Sequence, residues 1–284
     1  MDDNAISDTS RKPPAIVAAS HGFFALRANV GNNRKIVLGV IGAVLFFGTW
    51  EIAHYMMDES RQKFLPSVEQ VLSALWVLFT EKAYIHDVLK STYRVFVSFF
   101  VASAIALPLA ILMGCFANIK ALMNPVLSAA RYLPAASFIP LLLVWFGPTD
   151  LQKMSLLFLG VVFFLVALML DSTESVETSL VEASLTMGAS RRQVVLGVVL
   201  PAAAPSIIDA MRAMIAVSWT YLVIAEIVAA QDGIGAVMMR AGRFLKVDII
   251  MAGILTIGIL GVLTDLLFRF SSHLIFPWNR PRKS

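Results

Sequence analysis

The sequence is short of charge. Only 15% of its 284 residues are Asp, Glu, Lys or Arg, where an ordinary soluble domain carries about a quarter. It holds one cysteine, Cys115, inside an apolar run, which excludes an internal disulfide and a thiolate metal cluster. The four histidines, His21, His54, His86 and His273, are scattered, and none sits in mid-span facing another, which argues against a haem or metal redox protein. No Gly-x-x-x-x-Gly-Lys-Ser/Thr loop occurs, so the chain has no usual means of binding ATP. No serine with a base, and no pair of carboxylates, lies along one helix face, which leaves a membrane enzyme without its chemistry.

What is abundant is apolar surface. Hydrophobic residues make up 58% of the chain, its mean hydropathy is +0.77, and the apolar residues come in unbroken runs that a soluble core does not need. A helix needs roughly 20 residues to cross about 30 Å of hydrocarbon. Six runs meet that length, at about 36–56, 93–115, 123–146, 154–170, 206–230 and 249–273. The expected fold is therefore all-α, a polytopic membrane protein of about six transmembrane helices. The membrane domain covers 36–275, flanked by cytoplasmic tails at 1–35 and 276–284. The first run follows a polar stretch opening with Asp2 and Asp3 and has no close small-x-small site, so no cleaved signal is expected. The net charge is +4. Its basic residues fall between the runs, which speaks for topology and not for nucleic acid. With both termini inside, the inner segments hold about 13 Lys and Arg and the outer ones about 9, the bias of a cytoplasmic N terminus.

Within these runs several residues ask for a reason. Ser98, Ala102, Ala106, Ala110 and Gly114 stand four apart in the second span, a small-residue face that lets another helix come close. Pro108, Pro134 and Pro140 remove backbone donors, so bends or breaks are expected there. Pro66 and Ser67 precede Val68, Val71, Leu72, Leu75, Trp76 and Phe79 at helical spacing, the pattern of an amphipathic helix lying on a surface. A charge at the bilayer centre costs about 2.5–3.5 kcal/mol, which draws attention to Arg131. It could offer a positive charge to an anionic substrate, pair with a carboxylate or carbonyls at a dimer interface, or snorkel to the cytoplasmic surface. Glu226 reads either as an interfacial carboxylate bonded to a loop or basic residue, or as a gate. Trp219 shares its face, as pathway lining or as packing. Asp209 with Arg212, and Asp265 with Arg269, are spaced for ion pairs. Gly258, Gly261 and Asp265 share one face, which suggests close packing.

The longest polar interruption, 171–205, carries the most information. Ser179 and Glu182 have capping-box spacing, which starts a helix near Leu180. Gly188 is suited to a positive φ and a helix stop. Ser190 and Gln193 form a second capping box, starting a helix near Arg191 that Pro201 limits. Local physics thus gives two short helices about a sharp turn, a docking device between spans four and five.

This segment resembles the EAA loop of ABC importer permeases: Glu-Ala-Ala, three residues, Gly, nine residues, Ile, one residue, Leu-Pro. Glu182, Ala183, Gly188, Leu200 and Pro201 match in type and spacing, while Ser184 stands for Ala and Val198 for Ile. Around Arg131, Pro134, Ser137 and Pro140, in Trp145–Gly147 and Asp150–Lys153, in Trp219–Tyr221 with Glu226, and in Gly233–Gly235 and Arg243–Lys246, the chain is similar to the nitrate/sulfonate/taurine/bicarbonate branch. Members of that branch carry more prolines after the position of Arg131, where Tyr132 and Ala135 stand here.

The resemblance implies a permease subunit that imports a small, anionic solute by alternating access in the bacterial inner membrane, with no covalent chemistry. It implies that Glu182, Ala183, Ser184, Gly188, Ala189, Ser190, Arg191, Leu200 and Pro201 engage an ATPase, and that Arg131, Pro134, Ser137, Trp219, Tyr221 and Glu226 are candidates for the solute pathway. It further implies two ABC ATPase subunits that bind the ATP, a second permease copy, a periplasmic or lipid-anchored solute-binding protein, and no cofactor on this chain. The rival class is an ATP-independent secondary transporter or channel. That class would show an inverted repeat or several intramembrane carboxylates, and the sequence shows neither clearly.

Overall fold

The computed structural model describes residues 31–228 and 231–277. The chain divides into two units, one ending at Ala53 and one beginning at His54. The first unit holds nearly all of α1 (Asn32–Tyr55), which is apolar on every side, as a membrane-spanning helix is. Thr49 Oγ1 returns its proton to the carbonyls of Leu45 and Phe46, so this hydroxyl is satisfied within its own helix.

The second unit is built from α2 (Glu59–Gln62), α3 (Val68–Glu81), α4 (Ile85–Cys115), α5 (Ala117–Ala130), α6 (Ile139–Phe146), α7 (Asp150–Glu174), α8 (Thr178–Thr186), α9 (Arg191–Val194), α10 (Leu200–Val228), α11 (Ile234–Arg243) and α12 (Val247–Ile275). A 3-10 turn, Ala135–Phe138, precedes α6, and a π turn, Val195–Val199, joins α9 to α10. Among the described residues five helical stretches are long and apolar enough to cross a membrane, α1, α4, α7, α9 through α10, and α12. A sixth is α5 with Ala135–Phe146, bent by 82°. Among the described residues the structure is helical with no strand.

Lipid tails are as apolar as leucine, so helices in a membrane associate through close packing more than through hydrophobic burial. The small-residue face of α4 does this. Ala102, Ala106 and Ala110 are fully buried, and α4 packs most extensively on α7. A Cβ on Gly114 would come within 2.5 Å of Thr173 on α7. On the other side of α7, a Cβ on Gly160 would meet the Tyr221 ring of α10 at 2.6 Å. Val95, Leu156, Leu157, Leu165, Ile215 and Leu222 fill the core between these three helices.

Four expectations change. The second span begins at Ile85, not near Tyr93, because the charges that depress its hydropathy are met by partners, Asp87 by the Gly233 N–H and Lys90 by Asp232. Pro108 lies within an unbroken α4, whereas the break expected in the third span falls at Tyr132–Pro134. Pro140 sits in the first turn of α6, where its missing N–H costs nothing. A Cβ on Gly258 or Gly261 would meet nothing within 4 Å among the described residues, so these two glycines mark no close approach, while Asp265 on their face pairs with Arg212 of α10. The expected amphipathic helix is α3, which starts on a capping box of Ser67 and Gln70. It buries Val71, Ala74 and Leu78 against α12 and exposes Leu72, Trp76 and Phe79.

The Gly160 contact gives a graded test. Gly160→Ala is expected to cost about 1–3 kcal/mol through overpacking, and Gly160→Val more. Melting of the purified protein followed by tryptophan fluorescence should show the apparent Tm falling in that order.

Candidate functional site

Two constellations occupy opposite ends of the α4, α7 and α10 bundle. At one end the sequence places Asp87, Ser91 and Arg94 at i, i+4 and i+7, which is one face of α4. Arg94 is 1% exposed. Its Nη1 donates to Glu226 Oε1 at 2.7 Å and to the Asp232 carbonyl at 3.2 Å. Its Nε and Nη2 donate to Asp150 Oδ1 at 2.9 and 2.5 Å, and Nη2 also pairs with the Asp232 carboxylate. Glu226, fully buried on α10, accepts as well from Ser91 Oγ at 2.7 Å and from the Gly235 N–H at 2.8 Å. Lys90 and Lys153 bond Asp232 at 2.5 and 3.4 Å.

The same residues seat α11. The first N–H groups of a helix have no partner of their own and carry the positive end of its dipole. Here Gly233, Ile234 and Gly235 donate to Asp87 Oδ1, Ser91 Oγ and Glu226 Oε2. Gly233 has φ +97°, and a Cβ on Gly235 would come within 2.7 Å of the Glu226 Cβ, so both positions need glycine. Asp232 lies between α10 and α11. Its burial alone would raise its pKa, but the Lys90 ammonium and the Arg94 guanidinium, with Lys153 behind them, hold it well below the usual carboxylate range.

The opposite end carries the elbow. Helix α8 starts at Thr178 with Glu177 as its N-cap. The Ser179 and Glu182 capping box does not form: Ser179 Oγ turns back to Glu177 Oε2 at 3.2 Å, and the Glu182 side chain is left exposed. Glu177 already occupies the flanking position, which puts Ser179 inside the first turn. The exit is as expected. Gly188 has φ +86°, the Ala189 N–H bonds the Ser184 carbonyl at 3.1 Å and the Gly188 N–H bonds the Leu185 carbonyl at 3.0 Å, together a Schellman motif. Ser190 and Gln193 then cap α9 reciprocally.

Pro201 does not stop that helix. The Leu200 N–H bonds the Val195 carbonyl, five residues back, and this wider turn carries the chain past the proline ring into α10. Arg191–Val228 is therefore one continuous stretch of 38 residues. The elbow buries Ser184 and Val194 and presents Glu182, Leu185, Met187, Ser190 and Arg191 outward, Met187 being 81% exposed. Behind it lies a cleft of about 730 Å³ reaching Cys115, Thr173 and Val199.

The remaining candidates are dispersed. Glu226 is held by a basic residue and a loop, as its first reading had it. Trp219 is 3% exposed and its Nε1 donates to Thr264 Oγ1 at 3.2 Å, while Tyr221 packs on Gly160. Pro134 and Ser137 are exposed at the break between α5 and α6. Arg131 caps the end of α5 and lines a small groove against α7. Both expected ion pairs are present, Asp209 to Arg212 at 3.9 Å and Asp265 to Arg269 at 3.3 Å. Arg212 also pairs with Asp265, tying α10 to α12. Sequence reasoning singled out Glu226 but missed Arg94 as its partner, together with Asp150 and Asp232 as the other carboxylates on it. The spacing of Asp87, Ser91 and Arg94 just ahead of an apolar run was the available signal.

The fold is that of a polytopic helical membrane protein with an exposed helical elbow at one end of its bundle. The comparisons agree. Residues 105–280 match the family of binding-protein-dependent transport system inner membrane components. The chain is 30% identical to a putative ABC transporter permease of Methanocaldococcus jannaschii, over 89% of this chain and 96% of that protein. It is 31% identical to the taurine transport system permease TauC of Escherichia coli, over 87% and 91%. It is 23% identical to the nitrate import permease NrtB of Synechocystis, over 86% and 90%. Its fold is like that of a chain in the inward-facing MetNI methionine ABC transporter, with TM-score 0.55 and 20% identity over 66% of this chain and 94% of that one. The chain belongs to the binding-protein-dependent inner-membrane permease family of ABC importers, a transport subunit and not an enzyme.

Removing Arg94 leaves Glu226 buried without its charge partner. Arg94→Met should cost about 3–5 kcal/mol, against no more than about 1 kcal/mol for the half-exposed partner in Asp150→Asn, both read as apparent Tm. Because the Asp232 pKa is depressed on folding, its contribution is complete above the ordinary carboxylate range and fades as pH falls below about 4. Asp232→Asn should therefore melt below the wild type at pH 7, and the difference should close on acidification.

Proposed function

We propose that this chain works as one half of an ATP-driven importer for a small anion or zwitterion. The observation that carries the reading is the elbow. Two opposed stop and start signals, the Schellman turn at Gly188 and the capping box at Ser190, hold Glu182, Leu185, Met187 and Arg191 outward on a bend whose outer face none of the described residues covers. An ATPase subunit docks there, so the elbow end and both termini are cytoplasmic, with residues 1–35 and 276–284 as tails around the membrane domain 36–275. Two such permeases form a homodimer and two ATPases bind the ATP, so the chain needs no cofactor of its own. A periplasmic or lipid-anchored solute-binding protein delivers solute at the Arg94 end. Closure of the ATPases shifts the dimer between outward- and inward-open states by binding one of them better. The substrate class follows the relatives named for taurine and nitrate. Arg131, with Pro134 and Ser137 at the helix break, borders the pathway. Trp219, Tyr221 and Glu226 frame it from behind through packing and bonding.

The reading is tested at Ser190 and Gly188. A cysteine placed by Ser190→Cys should cross-link to a co-expressed ATPase subunit, and Gly188→Val should reduce ATP-dependent uptake at least tenfold. A Cβ at Gly188 meets nothing within 4 Å, so the harm comes only from forcing a β-branched residue to positive φ. Gly188→Asn, which tolerates that conformation, should keep most uptake. Uptake indifferent to ATP and to Gly188→Val would give the chain to the ATP-independent class.

A further inference from the structure

Helices α5 and α7 run side by side in opposite directions, pinned at one level by Lys120 Nζ on Glu174 Oε1 at 2.6 Å. Beyond that pair they leave a groove of about 200 Å³ that ends at Arg131. The Lys120 and Glu174 charges neutralise each other. Two further charges line the groove and do not. The Arg131 guanidinium makes no ion pair among the described residues; Nη2 has a single long contact with Ser128 Oγ at 3.5 Å. Asp171, an exposed residue of α7 that lines the groove, makes no side-chain bond among them either. The groove therefore holds one uncommitted cation and one uncommitted anion.

Their separation has a defined scale. One turn along α5 from Lys120 is Asn124, and the register set by Lys120 and Glu174 puts Asn124 level with Asp171. Ser128, where the guanidinium lies, is one turn further, about 5–6 Å along the axis. Ser128 Oγ bonds Asn124 Oδ1 at 3.2 Å, so the wall between the two charges is polar. Leu127, Val166 and Leu170 make the rest. The chain also breaks immediately after Arg131. Non-helical backbone within a membrane domain is tolerated where it is buried in protein or lines a water-filled cavity.

We propose that Arg131 and Asp171 are the two ends of a binding site for a small zwitterion, an oxyanion head on Arg131 and an ammonium on Asp171, two or three atoms apart. A simple anion fits less well, because Asp171 repels it, and a simple cation is repelled by Arg131. The site rests on the orientation given above, which makes it an exit-side subsite: solute occupies it on its way to the cytoplasm, beside Glu174, which also lines the cleft behind the elbow.

The test is equilibrium binding of radiolabelled 2-aminoethanesulfonate to the assembled permease and ATPase complex in nanodiscs, with no solute-binding protein. Ethanesulfonate and ethylamine serve as competitors. Saturable binding is expected, displaced at least tenfold better by unlabelled 2-aminoethanesulfonate than by either competitor. Asp171→Asn, at an exposed position, and Arg131→Gln should each weaken it at least tenfold, and Arg131→Lys less. Equal competition by ethanesulfonate, or binding within twofold of wild type in Asp171→Asn, overturns the proposal. So does the absence of saturable binding. Any of these results beside an intact Ser190→Cys cross-link and ATP-dependent uptake removes this site and leaves the importer reading standing. Loss of the cross-link and of ATP dependence removes the reading itself.

Discussion

A guanidinium buried at one end of a helix bundle stays charged under all conditions a protein meets, so Arg94 obliges the fold to bring acceptors to it. Three carboxylates answer, from α7, α10 and the turn before α11. Buried ion pairs are weak evidence for stability but can fix register, and register is what this bundle lacks otherwise. The small residues of α4 repeat every four positions. A slip of one turn against α7 would set alanine where alanine was and lose little packing. It would, however, move Arg94 about 6 Å from its partners and leave Glu226 charged, buried and unpaired. The ion cluster at one end and the contact of Gly114 with Thr173 at the other select one alignment out of several that packing alone would allow.

The elbow is tied to this alignment by covalent continuity. From the capping box at Ser190 the chain runs through the π turn and α10 as one stretch until Glu226 reaches Arg94. At about 1.5 Å per residue, its 38 residues make a rod of about 57 Å, bonded at its far end and free at its near end. The π turn lets that rod pass Pro201. Had the proline ended α9, the elbow would hang on a loop and its orientation would be independent of the bundle.

What could be read from the sequence was whatever a few neighbouring residues decide. The Gly188 turn, the Ser190 cap, the small-residue face and the break near Pro134 each depend on residues within four or five positions, and each stands as expected. The failures are equally local in origin. Ser179 and Glu182 have the right spacing for a cap, but Glu177 takes the flanking position first. Pro201 reads as a stop, since a wider turn that absorbs it leaves no mark in composition. The Arg94 cluster was invisible for a different reason. Its partners lie 56, 132 and 138 residues away, and averaging hydropathy along the chain started the second span near Tyr93, which cut Asp87 and Ser91 off from the Arg94 face they share.

Two arginines at the margins of apolar helices thus have opposite circumstances. Arg94 is saturated: every donor group of its guanidinium meets an oxygen of the protein. Such a charge has nothing left to offer a solute, and its role is spent on holding four elements together. Arg131 stands at the end of α5, where the helix dipole favours a cation, yet the fold sends it no carboxylate, although Asp171 shares its groove. A protein that needed only to neutralise Arg131 would have closed that gap with a direct pair, as it did between Lys120 and Glu174 one turn from Asn124. Asp171 stays exposed and Arg131 is half-buried with one long contact, so both remain open to a ligand. That arrangement is explicable when a third body, bearing the complementary pair of charges, completes it.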